Sequence, residues 1–302
     1  MSNYHNPVLL HESLEALAIR PDGTYVDVTF GGGGHSRAIL AQLGEKGKLI
    51  AFDQDEDAGA NIINDPRFIL VKQNFRFLKN LLRLHSAIPV DGILADLGIS
   101  SHQIDQAERG FSTRFDGPLD MRMNRSATMD AEEVLNNYDE RQLRNMFREF
   151  GDVENAAKLS KTIFSAREEV SIRSIAELKA VISSCMPKGK EFQYLAKVFQ
   201  ALRIEINGEM EALKELLLQS VEVLKPEGRM VVISYHSLED RLVKNYFRTG
   251  SLKGEQEKDF FGNILKPFSD ITRKPISPSE EEIAVNSRAR SAKLRIAERE
   301  NG

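Results

Sequence analysis

The sequence predicts an α/β protein, a doubly wound and mostly parallel sheet with an inserted all-helical domain. Three observations predict it. Short apolar runs alternate with helical patterns from the start of the chain to Asp96, as βαβ units do. A strand, four glycines and a helix follow one another in TYVDVTFGGGGHSRAIL, Thr24 to Leu40. From residue 104 to 207 strand patterns vanish and helical periodicity remains, before apolar strands resume.

In chain order, Val8 to Ile19 reads as a helix, and Pro21-Asp22-Gly23 turns into a strand, Tyr25 to Phe30. Gly31 to Gly34 then lead into a helix, His35 to Leu43, with Ile39, Leu40 and Leu43 at helical spacing. Glycine permits positive φ and lets a ligand approach without a Cβ in the way. The dinucleotide fingerprint G-x-G-x-x-G fails at its last position, where Ser36 or Arg37 stands. That weighs against a nicotinamide-dependent oxidoreductase. Asp53 follows at the ~20 residues expected of a ribose-binding acid, just after the apolar strand Lys48 to Phe52. The competing reading is a tight turn with Asp53 capping the helix from Asp55. Helix Glu56 to Ile63, strand Arg67 to Val71, helix Leu78 to Leu84 and strand Val90 to Leu97 complete the first half of the sheet.

The loop His102 to Ser126 opens the insertion. Helices follow at Ala131 to Asn136, Glu140 to Phe150, Glu154 to Glu168, Ile175 to Met186 and Gln193 to Ile206. Asp130 with Glu133 and Ser174 with Glu177 have capping-box spacing, and Gly151 suits a left-handed helix end. Domain limits are set at 1–103 with 208–302, and 104–207. Sheet logic resumes after a helix from Met210 to Leu224. Pro226-Glu227-Gly228 is a turn, Arg229 to Ser234 a buried strand and Glu239 to Phe247 a helix. Thr249 to Glu282 reads as a long surface loop with one edge hairpin, and Ala292 to Ala297 as a last strand.

Of 302 residues, 41% are hydrophobic and 28% charged, ordinary for a globular protein. Net charge is −4, so no global field draws the chain to nucleic acid or membrane, and local basic patches must do so. The single cysteine, Cys185, excludes an internal disulfide and a cysteine zinc site. No His, Asp and Glu cluster has metal-ligand spacing, so no metal is expected. The start lacks a signal-peptide pattern and no segment is long enough to span a bilayer, so a cytoplasmic protein is expected.

Ligands of open parallel sheets bind beyond the strands' carboxyl ends. Gly31 to His35, Asp53, Asn74-Phe75, Asp96 and Ser234 to His236 all fall there, and Phe75 suits the face of an adenine. His236, after a buried strand, is a candidate to relay a proton, against the plainer reading of a loop anchor. Arg109, Arg114, Arg122 and Arg125, interleaved with Phe111 and Phe115, are candidates to hold nucleic-acid phosphates and stack on bases. A second basic set is Arg288, Arg290, Lys293 and Arg295, in a tail that alternates like a strand with one solvated basic face.

DGPLDMRM and SYHSLEDRLVK, with VFQALRIEIN, DGILADLGISSHQID and SRARSAKLRIAER, carry a resemblance far more specific than a glycine loop. On them the chain resembles the RsmH (MraW) family of S-adenosylmethionine-dependent methyltransferases along its whole length. The resemblance implies a seven-stranded Rossmann-like sheet and methylation of a cytidine's exocyclic amino nitrogen in small-subunit (16S) ribosomal RNA, tuning the decoding region. Homodimers and the small ribosomal subunit are plausible partners. It further implies that Gly33, Gly34 and His35 hold the methionine end of S-adenosylmethionine, Asp53 the ribose and Phe75 the adenine, with Asp96 and Gln103 completing the pocket. Asp96 and His236 are the catalytic candidates, and Ser100 and Ser101 lie nearby in sequence. Where many members carry His-Pro-Ala-Thr-Arg, this chain has Tyr194-Leu195-Ala196-Lys197. Lys197 keeps the charge without arginine's bidentate geometry.

Overall fold

The structure is a computed structural model in which residues 7–262 and 265–301 are described. The chain divides into two compact units, residues 1–98 with 210–302, and residues 99–209.

The first unit opens with α1 (Leu10–Leu17), β1 (Thr24–Asp27), α2 (Gly34–Gln42), β2 (Lys48–Phe52), β3 (Phe68–Val71), α3 (Leu78–Leu84) and β4 (Val90–Asp96). The second contains α4 (Ser101–Asp105), α5 (Ala131–Asn137), α6 (Glu140–Glu149), α7 (Ala156–Glu169), α8 (Ile175–Ile182) and α9 (Glu191–Asn207). Then come α10 (Glu209–Val223), β5 (Leu224–Ser234), α11 (Ser237–Thr249), β6 (Phe268–Asp270), α12 (Glu280–Val285) and β7 (Lys293–Arg299).

One seven-stranded sheet has the order β3-β2-β1-β4-β5-β7-β6. β1 to β5 pair in parallel, while β7 is antiparallel to both β5 and β6. The order reverses between β1 and β4, so a crevice is expected beyond their carboxyl ends. Central strands are buried on both faces, which explains runs such as LIAF and MVVI with no polar alternation. Separate apolar clusters form on Val26, Ile50 and Ile93 and on Tyr25, Leu49 and Leu94, alternate residues of β1, β2 and β4.

Several expected elements differ. β1 ends at Asp27, because the Asp27 carboxylate takes the Thr29 N–H and bends the chain. Single bonds from Val28 N–H to Leu94 and from Phe30 N–H to Phe52 carry it on to the glycines. Glu56–Asn61 is a 3-10 turn capped by Asp55, not an α-helix. Residues 225–228 bulge out of β5, whose register jumps from Val90↔Leu224 to Gly92↔Arg229. Within the Thr249 to Glu282 segment the Leu265 N–H donates to the Glu257 carbonyl at 2.8 Å, while at the sheet's edge β6 pairs with β7 and Ile276 bridges to Leu294. The tail is a 3-10 turn, Ser287–Ser291, followed by β7, not one solvated strand.

In the second unit, Leu143, Phe147, Leu159, Leu178, Val198 and Leu202 join one apolar core. Ser174 and Glu177 make a full capping box, whereas Asp130 caps α5 through the Glu133 N–H alone. Gly151 does not close α6 as a left-handed residue. Asp152 takes the positive φ of 49°, and Gly151 is small because a Cβ would lie 2.7 Å from the Lys197 carbonyl oxygen. The first break falls at 98/99 and not 103/104, because the Ser100–Gln103 capping box makes residues 101–105 a helix of the second unit. The second falls at 209/210.

Candidate active site

The site is built from the carboxyl ends of β1, β2, β4 and β5. Beyond β1, Gly31 and Gly33 take left-handed φ of 49° and 75°, and Gly33 starts α2. Asp53, one residue beyond β2, ties this turn to its neighbour. Its Oδ2 accepts the Gly31 N–H at 2.7 Å and its Oδ1 the Asp55 N–H at 2.8 Å. Burial outweighs those bonds and pushes the carboxyl up to about 6. Asp27 pins the turn from the other side by accepting from the Ser36 hydroxyl at 2.7 Å. Phe75, in a 3-10 turn capped by Asn74, packs half-buried against the core of this unit.

Gly34 and His35 both pack against the start of the described chain. A Cβ on Gly34 would lie 2.3 Å from the Pro7 Cγ, so this glycine admits the chain's own N-terminal segment. The buried His35 ring puts Nε2 3.2 Å from the Val8 carbonyl oxygen. A carbonyl only accepts, so Nε2 carries the hydrogen. Burial holds the imidazole below its usual pKa and neutral, leaving the Nδ1 lone pair facing Asp96 Oδ2 at 3.8 Å.

Asp96 ends β4 at the switch point. Its N–H donates to the Thr29 hydroxyl at 2.7 Å, fixing the backbone. Its Oδ1 accepts from the Tyr235 hydroxyl at 2.8 Å, yet the side chain stays 23% exposed. Burial pushes the carboxyl up to about 6, while the Tyr235 hydrogen bond pulls the other way. Tyr235 is itself raised by burial and by Asp96, so it stays a neutral donor. The sequence places Tyr235 within Ser234 to His236 at this strand end but gives it no role of its own. The signal lay beside His236: Asp96 pairs with Ile233 across β4 and β5, so Tyr235 sits just past the strand end that Asp96 also occupies.

His236 is the loop anchor. It caps α11, its Nδ1 taking the Glu239 N–H at 3.4 Å, while Glu239 Oε2 takes the Tyr235 N–H at 2.9 Å. His236 Nε2 lies 3.1 Å from Glu239 Oε1 inside the fold. The ring therefore holds the loop that carries Tyr235.

A family model described as the MraW methylase family matches residues 2–300. A protein of Bacteroides thetaiotaomicron named ribosomal RNA small subunit methyltransferase H is 57% identical over 296 residues, 98% of this chain and 97% of its own. Proteins of the same name from Flavobacterium johnsoniae and Amoebophilus asiaticus are 56% and 53% identical, each covering at least 98% of this chain and 96% of the relative. The chain belongs to the MraW methylase family. It is therefore a methyltransferase. Among the described residues of this MraW methylase, no helix is long and apolar enough to cross a membrane.

The second unit redistributes the expected substrate contacts. Arg109 is buried, its Nη2 donating to the Arg122 and Met123 carbonyls, so it braces the loop and is not the RNA contact the sequence suggests. Phe111 is likewise buried in the helical core and presents no stacking face. Arg122 makes a two-pronged ion pair with Asp120 and also holds the Ala127 carbonyl. Lys197 bonds Asp152. Ser100 and Gln103 cap α4 reciprocally, engaging the Gln103 carbonyl oxygen inside its own helix. Arg114 and Phe115 remain exposed and Ser101 half-buried. In the MraW methylase tail, Arg295 is buried and paired with Asp240.

Proposed function

We propose that this MraW methylase transfers a methyl group from S-adenosylmethionine to the exocyclic amino nitrogen of a cytidine in small-subunit (16S) ribosomal RNA. The names of its relatives support the RNA class. One observation carries the chemistry: a partly exposed carboxylate, Asp96, at the sheet's switch point, with one oxygen held by Tyr235 at 2.8 Å.

The residues fit the cofactor's adenosine. Each Asp53 oxygen accepts one N–H and keeps a lone pair for a ribose hydroxyl. The Gly31–Gly33 turn and Phe75 flank that carboxylate's end of the sheet. When bound, S-adenosylmethionine supplies a methyl already activated on sulfur, so the protein chiefly supplies position.

The acceptor sets the harder demand. A cytosine amino group is a poor nucleophile because its lone pair is conjugated with the ring. An oxygen accepting one of its hydrogens lets the nitrogen pyramidalise and balances the charge it develops. Asp96 Oδ2 has that capacity, and a carboxyl at about 6 is basic enough to hold the proton. Tyr235, Thr29 and His35 are positioning residues for Asp96, and His236 positions Tyr235. The helical unit, with Ser101 and Arg114, is the proposed contributor of RNA contacts.

Mass mapping of methylated nucleosides in 16S ribosomal RNA, from cells with and without this protein, tests the reading. Loss of one N4-methylated cytidine is expected. An unchanged map, or loss of a methyl on another base, overturns it.

A further inference from the structure

Helix α6 carries a surface that the methyl-transfer site does not use. Its sequence ERQLRNMFRE places Leu143, Met146 and Phe147 on one face, and all three are buried. At about 100° per residue, Arg141, Arg144 and Arg148 gather on the opposite face. All three are exposed.

Within the helix the row has mixed neighbours: Glu140 stands four residues before Arg144, and Arg148 lies in the last turn, where the dipole favours a cation. Arg144 and Arg148 stand at i,i+4 and Arg141 and Arg144 at i,i+3, spacings at which like charges repel. Arg141 also lies in the first turn, where the helix dipole disfavours a cation. Among the described residues no ion pair or hydrogen bond holds any of the three guanidinium groups. Other arginines of this chain are tied: Arg203 to Glu209, Arg229 to Glu298, Arg295 to Asp240. The helix stands on its Asp139–Gln142 capping box and its apolar face, and leaves a row of free cations outward. The row runs about 10 Å along the axis. Guanidinium groups match phosphate oxygens two-pronged, and a chain of net charge −4 needs such a local row to meet a polyanion.

We propose that Arg141, Arg144 and Arg148 of α6 form a docking strip for the phosphate backbone of the ribosomal RNA substrate. The inference rests on the ribosomal RNA reading, though not on which base is methylated. The test compares the full chain with R141Q/R144Q/R148Q, measuring equilibrium binding to purified small subunits and to free 16S ribosomal RNA across a salt series. The glutamine variant should bind roughly tenfold or more weakly. Its slope of log affinity against log salt should fall by about two, since each lost phosphate contact removes ~0.7–0.9. Its melting temperature and its affinity for S-adenosylmethionine should not fall. A triple lysine variant should retain the wild-type slope. Equal affinity and slope in the glutamine variant overturn the proposal, as does a lysine variant that loses the slope equally. A wild-type chain that binds neither RNA overturns both this strip and the ribosomal reading. Failure of the cytidine assignment leaves the binding result unchanged, because no methyl transfer is read.

Discussion

Asp96 is asked to be two things at once, a carboxylate facing solvent and a buried strand end. Its folded carboxyl at about 6 lies above the ordinary 3.8, so folding favours the protonated form. The stability this lends is complete below about pH 4 and is lost as pH rises through 6. Asp96→Asn removes that penalty while keeping an oxygen for Tyr235. Its melting temperature should exceed that of the wild type above pH 6 and converge with it below pH 4, although methyl transfer falls by on the order of a hundredfold. A variant that melts lower at pH 8 would contradict the assignment. Tyr235→Phe deletes the hydrogen bond that lowers the Asp96 pKa. The rate of transfer should then rise with pH along a limb displaced upward from that of the wild type. A structural role alone would scale the rate at every pH and leave the limb in place.

Elements show where a one-dimensional reading stops. The spacing from the glycines to Asp53, and the strand ends at Asp96 and Ser234, are local patterns, and they reach the sheet's carboxyl edge as expected. What fills the space beside them is tertiary and leaves no such trace. The absence of a Cβ at Gly34 reads as room for a ligand, and the side a Cβ would occupy is filled by Pro7. Arg109 sits in a polar stretch with the look of an exposed loop, and the two carbonyls that bury it lie 13 and 14 residues away. His236 has two readings in the sequence, and the capping bonds with Glu239, which give it anchoring contacts, are tertiary detail no local pattern shows. The Gly34 contact is testable. A methyl there would meet a proline ring at 2.3 Å, so Gly34→Ala should cost about 1–3 kcal/mol by overpacking. Pro7→Ala in the same chain should restore most of the loss, because contacting residues are not additive. Denaturant melts of the two single variants and the double one measure this, and simple additivity would rule the contact out.

The whole molecule buries its apolar residues in separate places. The sheet unit has a cluster on each face, and the helical unit has a third built only from residues between Ile99 and Ile206. Each unit thus has its own means of excluding water, and chains of that kind need not melt in one step. Asp53, Phe75 and the glycine turn, the proposed cofactor residues, belong to the sheet unit. A ligand stabilises what it binds by RT ln(1 + [L]/Kd), about 2.7 kcal/mol at a hundredfold excess over Kd. Calorimetry of the full chain should therefore show two components, and saturating S-adenosylmethionine should raise one of them by several degrees. Asp53→Ala should weaken the ligand more than tenfold and shrink that rise, because it strips an acceptor from the ribose end and releases the Gly31 N–H. The component left unmoved identifies the helical unit, and adding the α6 glutamine substitutions should leave the ligand-driven shift of the other component intact. If instead one transition carries all the heat and moves as a body, the two cores unfold together, and the ligand's effect extends beyond the unit that holds Asp53.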